Sequence, residues 1–324
     1  MRKNLVFRGA VWLSALALLV NPASASAAPI SAKTQTFVSN AFTNDGGTAI
    51  TSDGNIQWST SLEALIQRRG TGVKFAQQLK PAKFLLGTTA VSVGASTNPN
   101  SGYLYDSNRQ LIPALAGQFL AASKSLRVPN GPLSKVVLTR LRSIIAIDGT
   151  LAQAPNGSVD YAWAILGLKS QNQTELADKV ANKLLAFANS DGGFDGVTDG
   201  SSVSATGLAM QALVAVKNSG GAVAVKSKLV ALRAAYKFLT STDSQDSHWM
   251  NAGLPDVSGT AEAVMGIRAF AGGKPVTAHQ KWLVSQTATD GGIRADVSVD
   301  KGDVTATVKS LLPIFGGTYL SAIQ

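Results

Sequence analysis

The 324-residue chain contains no cysteine, which removes disulfides, thiol nucleophiles, iron–sulfur clusters and cysteine-ligated zinc together. Histidine is nearly as scarce, limited to His248 and His279, so neither a His-Glu-x-x-His helix nor a multi-histidine metal site is available. Glutamate is confined to Glu63, Glu175 and Glu262, and most aspartates sit in Gly-rich loops. The supply of carboxylates for buried acid and base work is therefore small. No phosphate-cradling loop and no Gly-x-Ser-x-Gly elbow is present. Beyond the first 27 residues no apolar run reaches the roughly 18 residues that a membrane helix requires.

What is present is the composition of a globular protein, 45% hydrophobic and 15% charged. The formal net charge of +10 is not gathered into runs; Arg68-Arg69 and Arg140 with Arg142 are its densest clusters. That dispersion argues against a nucleic-acid partner and fits lysines solubilising outer helices, with a weak affinity for an anionic cell-envelope component as the alternative. The N-terminus has the organisation of a secretory signal: Arg2, Lys3 and Arg8, then an apolar stretch from Ala10 to Val20, then Ala25-Ser26-Ala27 as cleavage site. Residues 1–27 are expected to be removed, leaving residues 28–324 as one secreted or periplasmic domain.

Internal self-similarity organises the rest. A loop rich in Asp and Gly is followed by an apolar, small-residue helix, most clearly at Asp191-Gly-Gly-Phe-Asp-Gly196 before Ser204 to Leu213, and again at Asp290-Gly-Gly-Ile293 before Thr305 to Leu312. Further copies precede Trp58 to Leu65, Asn108 to Leu115, Asp160 to Leu168 and Thr260 to Ile267, giving six units of two helices each. The helix before each loop is amphipathic: Val225, Leu229, Leu232, Tyr236 and Leu239 form one stripe, with Lys226, Lys228, Arg233 and Lys237 away from it. The helix after each loop is apolar nearly all round, as at Leu208 to Val216, and must be covered on every side. Six alternations predict an all-α fold, an α/α toroid of six helical hairpins with an amphipathic outer ring and an apolar inner ring.

The Asp191-Gly-Gly-Phe194 loop followed by Thr206-Gly-Leu-Ala-Met-Gln-Ala-Leu213 resembles the prenyltransferase and squalene-cyclase repeat family, and the resemblance covers nearly the whole mature chain. It implies the same six-hairpin toroid, with a cavity at the mouth of the inner ring. Members differ widely in chemistry, from terpenoid cyclases to vitamin B12 carriers, and this chain departs from their catalytic sets. The Asp, Cys and His that hold zinc in protein prenyltransferases are not all available. The Asp-x-Asp-Asp run of squalene cyclases is matched by nothing closer than Asp296, Asp300 and Asp303.

The expected function is accordingly binding of a small apolar or flat ligand, or of a partner, at the central cavity; the alternative is an isoprenoid-processing or glycan-hydrolysing enzyme on the same scaffold. Trp58, Asp160, Tyr161, Trp163, Trp249 and Glu262 are the candidate ligand-contacting residues, since they fall at or near the starts of inner helices and aromatic faces suit sugars, isoprenoids and flat cofactors. Asp160 and Glu262 are the candidate carboxylate pair for the enzymatic alternative, although capping of a helix start explains an acid there equally. Asp191, Asp195 and Asp199 form an oxygen-rich loop that either binds calcium or does no more than stabilise its turn. No motif indicates a particular cofactor.

Overall fold

The computed structural model describes residues 32–87, 102–127, 132–196, 200–244 and 246–324; the expected signal segment and its cleavage site lie outside them. Among the described residues the fold is helical, and the strands are three two-stranded antiparallel hairpins. The inner helices are α2 (Trp58–Gly70), α4 (Pro113–Ser125), α6 (Ser158–Ser170), α8 (Val203–Ala215), α10 (Val257–Ala271) and α12 (Val304–Ile314). Each packs against the two beside it, and α12 closes the circle on α2. The outer helices are α1 (Ala32–Ala41), α3 (Leu79–Leu86), α5 (Pro132–Ser143), α7 (Thr174–Leu184), α9 (Ala222–Thr242) and α11 (Thr277–Ser285). Every one of them rests on the inner ring, as the alternation of apolar and amphipathic segments requires.

Each hairpin enters its inner helix through a loop on one face of the ring, the mouth, where β1 (Thr51–Ser52) pairs with β2 (Asn55–Ile56), β3 (Phe194–Asp195) with β4 (Ser201–Ser202), and β5 (Met250–Asn251) with β6 (Leu254–Pro255). A recurrent hydroxyl fixes these loops. Ser61, Thr206, Thr260 and Thr307, each the fourth residue of its helix, accept the amides of Ile50, Phe194, Trp249 and Ile293 at 2.9, 2.9, 3.0 and 2.7 Å. The amide so held belongs to a buried apolar residue, so one hydrogen bond satisfies a desolvated donor and anchors the loop in the core.

Two inner-ring seams depend on glycine. A Cβ on Gly117 would lie 2.1 Å from the Trp163 carbonyl oxygen, and one on Gly207 would lie 2.3 Å from that of Glu262. Backbone meets backbone there, and no side-chain rearrangement makes room. The α2–α12 seam is built differently. Pro313 has no N–H to give the Lys309 carbonyl one turn back. Gln67 of α2 supplies the missing donor, its Nε2 reaching that oxygen at 3.3 Å while its Oε1 accepts the Leu312 amide at 2.7 Å.

Two expectations are corrected. The second inner helix begins at Pro113 rather than Asn108, because the Asp106 carboxylate accepts the amides of Asn108 and Gln110 at 2.9 and 2.8 Å and locks a turn there. Proline suits the first helical position that follows. Lys228 is fully buried rather than on the wet face of α9; it pairs with Asp178 of α7 and donates to the Ser219 carbonyl at 2.8 Å, which satisfies the charge. For the glycine seams, Gly117→Ala should cost about 1–3 kcal/mol and lower the Tm by about 2–5 °C. Gly102→Ala, with nothing within 4 Å of the added carbon, is the control; equal melting of the two variants would show that the seam tolerates a side chain.

Candidate functional site

The six inner helices run in register, so residues of equal rank form tiers around the axis. The second residues, Ser59, Ala114, Val159, Ser204, Ser258 and Thr305, form a rim at the mouth. The sixth residues, one turn deeper, are Glu63, Gln118, Trp163, Leu208, Glu262 and Lys309. This lower tier is divided: α10, α12, α2 and α4 contribute charge and amide, α6 and α8 contribute an indole and an aliphatic chain.

The polar side of the tier is one hydrogen-bonded network. Gln118 Nε2 donates to Glu63 Oε1 at 2.9 Å and to the exposed Ser59 hydroxyl at 2.8 Å. Lys309 Nζ donates to Glu262 Oε1 at 3.2 Å. The floor comes from beyond the last inner helix, where the short helix α13 (Tyr319–Ala322) contacts α2 and α8 on opposite sides of the ring. Its Tyr319 is fully buried, lies 4.7 Å from Trp163 between ring centroids, and donates its amide to Gln211 Oε1 at 2.9 Å.

The Tyr319 hydroxyl stands 3.0 Å from Glu63 Oε2, 3.2 Å from Glu262 Oε1 and 3.1 Å from Gln67 Nε2. A phenol has one proton and two acceptor sites. Gln67 fills one acceptor site, and the phenol donates to one carboxylate. The second carboxylate contact is satisfied only when that acid carries its own proton. Burial pushes the Glu262 carboxyl up to about 7; Lys309 opposes the rise and the nearby Glu63 charge adds to it. Burial also acts to lower Lys309, but attraction from Glu63 and Glu262 outweighs it and holds the ammonium above its ordinary value. The second Glu262 oxygen, Oε2, is buried and accepts no hydrogen bond among the described residues.

The residues singled out in the sequence divide between this site and the walls. Trp163 and Glu262 are in the lower tier. Trp58, half-buried at the head of α2, stacks on Tyr103 at 4.4 Å and on Phe84 at 6.1 Å. Asp160, fully buried, spends its oxygens on the Ala114 amide of α4 at 3.0 Å and the Asn156 amide at 2.7 Å. Burial raises its carboxyl against the pull of those donors. It shares no hydrogen-bonding partner with Glu262. The Tyr161 hydroxyl accepts the Leu151 amide at 3.2 Å and performs in α6 the loop-anchoring role of the recurrent Ser and Thr. Trp249 is in the core between the rings, stacked 4.6 Å from His279 and donating to the Leu239 carbonyl at 2.9 Å.

Asp191 accepts the Gly193 amide at 2.9 Å and the Ser201 hydroxyl at 2.6 Å, and Asp195 accepts the Asn189 side-chain amide at 2.7 Å. Asp199 lies outside the described residues. Sequence reasoning missed Gln118, Lys309 and Tyr319. The first two were discoverable by aligning inner helices on their starts, whereas Tyr319 follows the final repeat and has no counterpart in it.

No family model matches this sequence, and no curated protein is similar to it. Solved structures are. The type II terpene cyclase MstE from Scytonema, in its apo form, is 13% identical with a TM-score of 0.62, over 86% of this chain and 95% of that one. A possible GH105 family member from Salmonella enterica is 12% identical with a TM-score of 0.59, over 96% and 98%. Haptocorrin in complex with Cbi is 11% identical with a TM-score of 0.57, over 89% and 66%. Likeness at these identities establishes the fold alone, an α/α toroid.

The raised Glu262 carboxyl has a measurable consequence. An acid whose folded-state value exceeds its unfolded value keeps a proton that the unfolded chain has already released. Its stabilisation is full below about 4.5 and is lost as pH rises through about 7. Thermal melting across that window should show the Tm falling with pH in the wild type and a flatter profile in Glu262→Gln. An unchanged slope in the variant would assign the dependence elsewhere.

Proposed function

We propose that the protein binds a small ligand at the mouth of the inner ring, over the tier of Glu63, Gln118, Trp163, Glu262 and Lys309, with Trp58 at its edge. The observation that carries this reading is Glu262 Oε2, a buried acceptor without a donor. Leaving such an atom unpaired costs on the order of 1–3 kcal/mol, and because it is fully buried a ligand hydroxyl or protonated amine recovers that cost only by parting the side chains that cover it. The divided tier gives the ligand its shape: a flat or amphipathic molecule whose apolar face lies over Trp163 and Leu208 and whose polar edge meets Glu262 and Lys309. The leader-like N-terminus supports action outside the cytoplasm, on a ligand from the envelope or the surroundings.

A specific observation favours a second reading. Glu63 and Glu262 contact one hydroxyl at 3.0 and 3.2 Å, so those carboxylate oxygens are no more than about 6 Å apart. That bound admits the separation of about 5–5.5 Å used by retaining glycosidases and excludes the wider inverting spacing, with Glu262 as the acid whose proton burial favours. In this reading Glu63 rather than Asp160 is its partner, because both Asp160 oxygens are engaged with backbone amides.

Native mass spectrometry of the protein purified from its own cells tests the binding reading. A small-molecule mass increment is expected, lost in Glu262→Gln while the circular dichroism spectrum is retained. An unliganded wild type that also fails to shift its Tm with oligosaccharide, isoprenoid or corrinoid probes would dismiss it. Release of reducing ends from a glycan panel, abolished in both Glu63→Gln and Glu262→Gln, would select hydrolysis. N-terminal sequencing of the extracellular or periplasmic fraction should begin at Ala28; an intact Met1 there would reject the processing step.

A further inference from the structure

The ring is electrostatically two-faced. Of the fifteen aspartates among the described residues, thirteen fall in the segments that lead from an outer helix to the next inner helix, at the mouth, together with three cations, Arg109, Arg294 and Lys301. The opposite face is made by the last turns of the inner helices and the turns that carry the chain to the next outer helix. Those segments contain eight Lys and Arg residues besides the buried Arg68, and no acid.

Cations at helix C-termini are ordinary, because the helix dipole favours them. Two observations exceed that explanation. Outer helices begin on this same face, and helix starts favour acids, yet α5, α9 and α11 have none in the first turn; only α7 has one, Glu175. Arg127, in turn, occupies a left-handed conformation (φ 52°), as Arg109 does at the mouth (φ 59°), which glycine or asparagine fills without strain and which costs other residues roughly 1–2 kcal/mol.

Arg127 stands at a built groove. Arg69, Lys124, Arg127 and Asn172 line a depression of about 660 Å³ between the ends of α2, α4 and α6 and the C-terminal segment, and no acidic side chain lines it. A second depression of about 400 Å³ shares Lys124, Ser170 and Asn172 with the first and adds Lys169. The Lys124 ammonium and the exposed Arg127 guanidinium make no hydrogen bond or ion pair among the described residues.

We propose that this basic face binds a linear, phosphate-bearing polyanion seated in the groove, leaving the acidic mouth directed away from it. Arg and Lys together suit phosphate oxygens, the first by its planar fork and the second as a point charge. The recessed, continuous shape accommodates a chain better than the plane of a bilayer, and the acidic mouth repels the same polymer, so attachment has one orientation.

Long-chain inorganic polyphosphate, titrated into the full-length protein by isothermal calorimetry at several salt concentrations, tests the proposal. Binding at about 0.15 M salt is expected, weakening as salt rises through counterion release. The triple variant Arg69→Gln, Lys124→Gln, Arg127→Gln should weaken it at least about tenfold and lower the salt slope by about 2. A control with the same charge change on exposed outer-ring positions, Lys83→Gln, Arg142→Gln, Lys237→Gln, should stay within about twofold of wild type. Both triples must first melt as the wild type does; if the groove triple does not, Lys124→Gln with Arg127→Gln replaces it. Equal weakening by both variants would reduce the effect to net charge and overturn the proposal. So would absence of polyphosphate binding, binding confined to vesicles containing phosphatidylglycerol, or self-association through the basic face detected by sedimentation without polymer. None of these outcomes depends on what the mouth binds, so this test and that of the ligand-binding reading fail separately.

Discussion

A single phenol hydroxyl at the axis ties the ring together. Six parallel helices packed side by side enclose a space open at both ends, and the side chains pointing into it are charged or amidic on four of the six walls. Water entering from both ends would solvate those groups individually. Tyr319 instead closes one end and joins α2 to α10 through Glu63 and Glu262. Its third partner, Gln67, is the residue that mends the α2–α12 seam at Pro313. Closure of the ring, closure of its floor and the protonation of its acids therefore share one short chain of hydrogen bonds. The floor of the ring is thereby closed, and the Glu262 carboxyl beside it is desolvated.

The architecture was legible in the sequence because it rests on apolar periodicity, which is local. The stripe of α9 and the all-round apolarity of α8 report directly how many sides of a helix are covered, and six repetitions leave a closed double ring as the economical packing. The start of α4 was misjudged because a polar turn anchored by Asp106 lies between the loop signal and the helix, and side-chain to backbone turns leave little trace in periodicity. Lys228 was misjudged for a related reason: its burial depends on Asp178 from another helix, and a partner supplied through space has no signature along the chain.

The site was less legible for the same physical cause. Asp160 and Tyr161 at the start of α6, and Trp249 in the loop before α10, are polar or aromatic residues where loops must be fastened to the ring. Fastening consumed their polar atoms: an amide of the neighbouring helix, a loop amide and a carbonyl of α9. Trp163 and Glu262 differ by being one turn deeper, past the last backbone donor in need of a partner. Rank within the helix, rather than residue type, separates the fasteners from the residues left facing the axis. Glu63, Gln118 and Lys309 share the sixth rank with them.

The two faces of the molecule follow from this economy as well. Loops entering the inner helices have to turn tightly and cap orphaned amides, and aspartate does both without bulk; Asp256 and Asp303 cap α10 and α12 in this way. An acidic mouth is thus partly a by-product of folding, as are the cations at the inner-helix ends of the opposite face. Glycine, asparagine and serine would serve its turns equally well, and they do so at Gly220, Asn172 and Ser219. Lysine and arginine in the last turns of the inner helices suit the helix dipole, and Arg69 also donates to the Val73 carbonyl at 3.4 Å; the dipole does not by itself require Arg127 in the turn that follows α4.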